Sequence, residues 1–217
     1  MTETTTVEIP GYRVGTWQLD ASHSEVHFTV RHMMISKVRG TFGVKSATFV
    51  TPANPLETTV TASVDVTSVD TKDEGRDKHL ASADFFDAEQ YPTMDFVSTG
   101  VRIEDGDFFV DGDLTIRGVT KPVTFEVEFG GFGNDPWGNY KAGATAKAVI
   151  NREDFGLTWN AALETGGVLV GKDVTIELDL QGALQADSTR LGQLLPQHHQ
   201  GPAEVQPGEL GQQEHRG

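Results

Sequence analysis

The sequence predicts an all-β protein, an antiparallel barrel of about eight strands with one short helix inserted between two of them. Segments in which apolar residues alternate with polar ones recur from Trp17 to Leu180, the period of a strand with one buried face. Turn residues bound nearly every segment. So many strands hide their apolar faces and open edges only by closing into a barrel or stacking as a sandwich.

Taken in order, a short piece with Trp17 and Leu19 comes first. Val26, Phe28 and Val30 then alternate with Glu25, His27, Thr29 and Arg31. Val38, Phe42 and Val44 share a face, as do Val60, Ala62, Val64 and Val66. The helical segment is DEGRDKHLASADFF, with Asp73 and Glu74 in its opening turn, where the helix dipole favours acids. Met94 and Phe96 begin a strand that runs to Ile103, and Glu104-Asp105-Gly106-Asp107 turns it into Phe108, Val110, Leu114 and Ile116. Gly118 marks the next reversal, into Val123, Phe125, Val127 and Phe129. The strand YKAGATAKAVI, Tyr140 to Ile150, follows, then a single helical turn at NREDF, and last Val174, Ile176, Leu178 and Leu180. The barrel is expected over residues 12–182. Residues 1–11 are expected to be disordered, as is 183–217, rich in Gln, Gly and Pro and without an aromatic residue.

The chain has 217 residues, enough to bury a substantial core. It has no cysteine, which excludes disulfides, thiolate metal sites and thiol nucleophiles. A formal net charge of -15 argues against a nucleic-acid partner, whose phosphates require clustered Lys and Arg. The first residues show neither a basic nor an apolar leader region, and no window approaches a membrane span. The expectation is a cytoplasmic protein.

The Tyr140–Ile150 strand raises the functional question. Tyr140, Ala142, Ala144, Ala146, Ala148 and Ile150 fall on one face, and Lys141, Thr145 and Lys147 on the other. Emptied core sites cost roughly 2–5 kcal/mol each, so the space beside the alanines is filled. The filling is either the protein's own twelve phenylalanines or a ligand, because a barrel of about eight strands can enclose one small apolar molecule. A hollow along so long a strand suits an extended lipid better than a compact metabolite.

Other motifs carry less. His23, Glu25 and His27 share one outward parity, yet lack a third histidine for a metal. GGVLVGK, Gly166 to Lys172, has phosphate-loop spacing but continues with Asp173 and a strand, so it is a glycine-bearing loop. The acidic run Asp70 to His79 lacks calcium-loop spacing. No G-x-S-x-G is present, and the spacing of Asp84, Asp87 and Asp95 pairs no two carboxylates. No metal and no catalytic cofactor is expected. The histidine pair at 198 and 199 falls in the expected tail.

Four segments, LDASHSEVHFTVRHMMISKVRGTF, DKHLASADFFDAEQYPTMDFVST, GDLTIRGVTKPV and NREDFGL, occur in the order found in the YceI-like family, which the chain resembles over roughly residues 12–182. The resemblance implies a lipocalin-like barrel that holds a polyisoprenoid chain, without established catalysis, and places the helix with Phe85 and Phe86 near one barrel end. By parity, the expected lining is Phe28, Val30, Phe42, Val44, Val64, Phe96, Leu114, Phe125, Ala142, Ala144, Ala146 and Ala148. His32, Phe85 and Phe86 are candidates for the mouth or a head-group contact. The expected function is carriage or storage of an apolar lipid, a polyisoprenoid or isoprenoid quinone, with transient membrane contact and a homodimer as further possibilities. Two rivals stand beside it: an enzyme using His27 or His32 with a carboxylate on a lipid-like substrate, and a stress-related scaffold with a solid core.

Overall fold

A computed structural model describes residues 8–186. Ten strand segments are present: β1 (Gly15–Leu19), β2 (Glu25–His32), β3 (Ser36–Phe42), β4 (Val44–Thr51), β5 (Thr59–Asp65), β6 (Thr93–Glu104), β7 (Asp107–Ile116), β8 (Val119–Asn134), β9 (Tyr140–Asn151) and β10 (Val170–Leu184). Every pairing is antiparallel, in the order β1-β4-β5-β6-β7-β8-β9-β10-β2-β3, and β10 also pairs with β1. β1 and β2 lie end to end along β10, and β4 and β3 lie end to end against them. The ten segments therefore form a closed 8-strand barrel with one helix, as the alternation predicts.

The interruptions in the first two long strands have local causes. Asp20 caps a short helical turn, Ala21–His23, by accepting from Ser22 N at 3.2 Å. Gly43 divides β3 from β4, and its N–H donates to Ser68 Oγ at 2.7 Å. Beyond that point β3 pairs only with β2, and the chain between β5 and β6 covers its free edge, with Thr41 and Asp70 exchanging backbone hydrogen bonds of 2.9 and 3.0 Å.

That connection carries the predicted helix, α1 (Glu74–Ala81). Asp73 caps its start by accepting from Arg76 N at 2.9 Å, and Ser82 ends it, donating its N–H to His79 O. Phe85 follows in a tight loop and is buried against Trp159 and the His79 ring.

One end of the barrel is solid. Val26, Phe42, Val66, Met94, Ile116, Phe155 and Leu157 pack there, and the loop after β9 closes over them. Arg152 staples that loop: its buried guanidinium donates to the carbonyls of Gly171, Leu157, Trp159 and Val170. Burial lowers its pKa from the ordinary guanidinium value. The predicted turn at NREDF is this loop's first element, Arg152–Phe155, and Gly166 and Gly167 lie in the loop that precedes β10.

Candidate functional site

The other end is hollow. A cavity of about 260 Å³ runs inward from the ends of β1, β4, β5, β7, β8 and β10, bordered by Trp17, Phe49, Val60, Phe108, Phe129 and Leu180. Its wall includes Ala142, Ala144 and Ala146 of β9, which stand opposite Leu178, Leu180 and Gly182 of β10 and Val127, Phe129 and Phe132 of β8. Phe96 and Phe125 meet edge to face at 5.4 Å and border both the cavity and the packed layer beneath it.

The polar groups at this wall are already partnered. Trp17 Nε1 donates to Thr51 Oγ1 at 2.9 Å. Tyr12 hydroxyl donates to Pro52 O at 2.8 Å. Asp95 borders the cavity but is exposed, and its carboxylate accepts from Thr93 Oγ1. Such a wall, almost entirely apolar, suits a hydrocarbon chain.

The N-terminal segment crosses the mouth. Ile9 and Tyr12 border the cavity, Tyr140 hydroxyl donates to Gly11 O at 2.7 Å, and the Arg13 guanidinium lies 3.5 Å from the centre of the Tyr140 ring. Gly11 has φ +86 and rests on Phe132, where a Cβ would come within 2.8 Å of the ring's own Cβ. This corrects the expectation for residues 8–11, which are tied down rather than part of a disordered leader. The expected C-terminal tail also begins too early, since Ala183 and Leu184 pair with β1 and Gln185 N donates to Thr16 O at 2.8 Å; residues 1–7 and 187–217, where the remainder of the expected tails and the histidine pair fall, lie outside the described residues.

The chain also matches known proteins. A family model for the YceI-like domain matches residues 17–182. The chain belongs to the YceI-like family. A UPF0312 protein of Staphylococcus aureus is 41% identical over 160 residues, covering 73% of this chain and 91% of that protein. Among solved structures, Burkholderia cenocepacia BcnA superposes with TM-score 0.65 at 26% identity over 75% of this chain and 98% of its own. A Campylobacter jejuni YCEI protein gives 0.58 at 28% identity over 72% and 90%. A polyisoprenoid binding domain from Saccharophagus degradans gives 0.56 over 78% and 98%, at 14% identity, a likeness of fold.

Of the twelve lining residues expected by parity, the structure brings Val44, Val64, Phe96, Leu114, Phe125, Ala142, Ala144 and Ala146 to the cavity wall. Phe28, Val30, Phe42 and Ala148 are corrected: they lie deeper, toward the solid end. Phe28 and Phe42 pack ring to ring at 5.3 Å, Val30 stands between Val38 and Val174 in the sheet, and Ala148 is buried with Phe125. Parity assigns a side to a residue but no depth along the barrel.

His32, Phe85 and Phe86 are corrected too. They stand at the end opposite the mouth, His32 across from Val170 and Phe86 against Phe42. The outward histidines are tied elsewhere: His23 to Asp20 at 3.0 Å, and His27 to Asp179 at 3.2 Å and Glu25 at 3.4 Å. Among the described residues no group of three His, Asp or Glu side chains converges to hold a metal, and no helix is long and apolar enough to cross a membrane. The aromatic rim of Tyr12, Phe108, Phe129 and Phe132 escaped the parity list. For Phe132 the reason is the irregular register between Phe129 and Gly131, which resets the alternation.

Proposed function

We propose that this protein binds and carries the hydrocarbon chain of a lipid, a polyisoprenoid or isoprenoid quinone, in its barrel, without chemical conversion. The observation behind this is the cavity: open at one end, walled by apolar side chains, and made hollow by three alanines where a solid barrel has large residues. The family, and the polyisoprenoid binding domain of Saccharophagus degradans with its similar barrel, support a polyisoprenoid as cargo.

The volume sets a limit on how much of that cargo is enclosed. A cavity of roughly 150 Å³ admits benzene, so about 260 Å³ encloses on the order of ten carbons, about two isoprene units. A longer chain leaves through the mouth, and its head group stays outside, within reach of Arg13. The cytoplasm is the proposed place of action.

Mass spectrometry of an organic extract of protein purified without detergent tests the proposal, with isoprenoid alcohols of increasing length offered afterwards. Near-stoichiometric recovery is expected, with affinity that rises to about two isoprene units and then levels. Empty extracts and no binding of any isoprenoid would leave the solid-scaffold alternative.

A further inference from the structure

The hairpin joining β2 to β3 departs from ordinary hairpin chemistry in three ways at once. Met33 and Met34 have φ +52 and +62, two consecutive side chains in the left-handed region. The tight turns at Asp105-Gly106 and Arg117-Gly118 put glycine second in the corresponding pair, as steric strain demands. The tip is also bare of cover: Met33, Met34 and Ile35 are 42%, 54% and 82% exposed. Finally, Arg31 stands directly across from Lys37, with Arg39 two pairs further back on the same face. Like charges opposed on a sheet destabilise it.

These cations cluster in a chain dominated by acids. It holds 32 acidic residues against 17 basic ones, yet three of the cations gather on this one hairpin, and among the described residues no carboxylate neutralises Arg31, Lys37 or Arg39. A local conflict of strain, exposure and repulsion that folding does not need marks a surface selected for something else.

We propose that this tip docks the protein on an anionic phospholipid membrane. Met33, Met34 and Ile35 enter the boundary between head groups and acyl chains, while Arg31, Lys37 and Arg39, set back along the hairpin, meet the phosphates. Charge order and size both favour this partner. Three apolar side chains fall far short of the roughly 800 Å² per partner of a stable protein interface, whereas apolar insertion backed by cations is how peripheral proteins hold membranes. The net charge of -15 repels such a surface from afar, but beyond about 8 Å it is screened at physiological salt, and the cations govern at contact.

The tip sits at the end of the barrel opposite the mouth, beside Leu169, whose carbonyl accepts from Met33 N at 2.8 Å. A docked protein thus points its mouth away from the bilayer. Docking and cargo binding then use separate surfaces, and either can fail without the other.

The test is co-sedimentation of the full chain with vesicles of phosphatidylcholine, with and without phosphatidylglycerol. Binding is expected only with the anionic lipid and is expected to fall as salt rises. Arg31→Gln and Lys37→Gln should each weaken it about fivefold. The double change Met33→Asn, Met34→Gly supplies the residues the turn prefers, so it should keep or raise Tm while abolishing sedimentation. Absence of wild-type binding to anionic vesicles at low salt overturns the proposal and leaves an acidic protein as the partner of this hairpin. Equal binding by the folded double variant overturns it as well. Isoprenoid recovery from the same preparations reports on the cargo independently.

Discussion

Replacing Ala144 by phenylalanine separates a ligand cavity from a packing irregularity. Ala144 borders the cavity between Phe129 of β8 and Leu180 of β10. A benzene ring occupies a cavity of roughly 150 Å³, so the new side chain takes more than half of the 260 Å³ available. It displaces about five carbons of cargo, each worth about 0.8 kcal/mol, and the loss of about 4 kcal/mol weakens binding by roughly three decades. The fold should survive. Burial of the ring contributes about 1.5–3 kcal/mol, offset by about 1–3 kcal/mol of strain from crowding. Ala148→Phe, on the same face but buried with Phe125, has no such space and should lose about 1–3 kcal/mol of stability. Thermal unfolding measures the first difference. Titration with a farnesyl alcohol, read from the fluorescence of Trp17 at the cavity wall, measures the second. An Ala144→Phe protein that melts like the wild type and binds the alcohol equally well would refute the assignment of this wall to the ligand.

Three further outcomes follow from the same geometry. Tyr140→Phe removes the hydrogen bond that holds Gly11 across the mouth, and cargo exchange followed by stopped flow should quicken about fivefold, the effect of one such bond. Asp20 accepts from Ser22 and from Lys141, in that order of importance, which holds its carboxyl well below the usual carboxylate range. Its contribution is therefore complete above the unfolded value of about 4 and fades as pH falls below that; Asp20→Asn should cost about 1 kcal/mol at neutral pH and flatten the decline of Tm on acidification. His27→Ala and His32→Ala should leave isoprenoid retention unchanged, because neither side chain borders the cavity. Loss of a lipid-converting activity in either variant would establish the enzymatic alternative instead.

The alternation of apolar and polar residues encodes the fold strongly, since one register slip exposes an entire face. That is why β6 through β10 fall where the sequence places them. Turn chemistry is equally legible at Asp105-Gly106 and Arg117-Gly118, where a glycine declares the positive φ. It fails at Met33-Met34, because nothing in two methionines announces a left-handed pair. At Asp20–Ser24 the break between the short first piece and the next strand is legible but its cause is not: a side-chain cap and an ion pair to Lys141, a partner distant in sequence.

The alanines of β9 show why the site was only half legible. Four of them share one face, yet the barrel treats them differently according to what the neighbouring strands bring to each level. At Ala146 and Ala148 the facing layer supplies Phe125, with Phe96 beside it, and the small side chains make room for large ones within the protein. At Ala142 and Ala144 the facing aromatics, Phe129 and Phe132, stack against one another near the mouth, with centroids 6.2 Å apart, and leave the interior open. Both interpretations of an alanine strand, one filled by phenylalanine and one filled by ligand, hold along the same twelve residues of β9. The boundary falls at Ala146, which touches both the packed layer and the cavity. Its position depends on registers between three strands, and a periodicity within one strand contains no information about it.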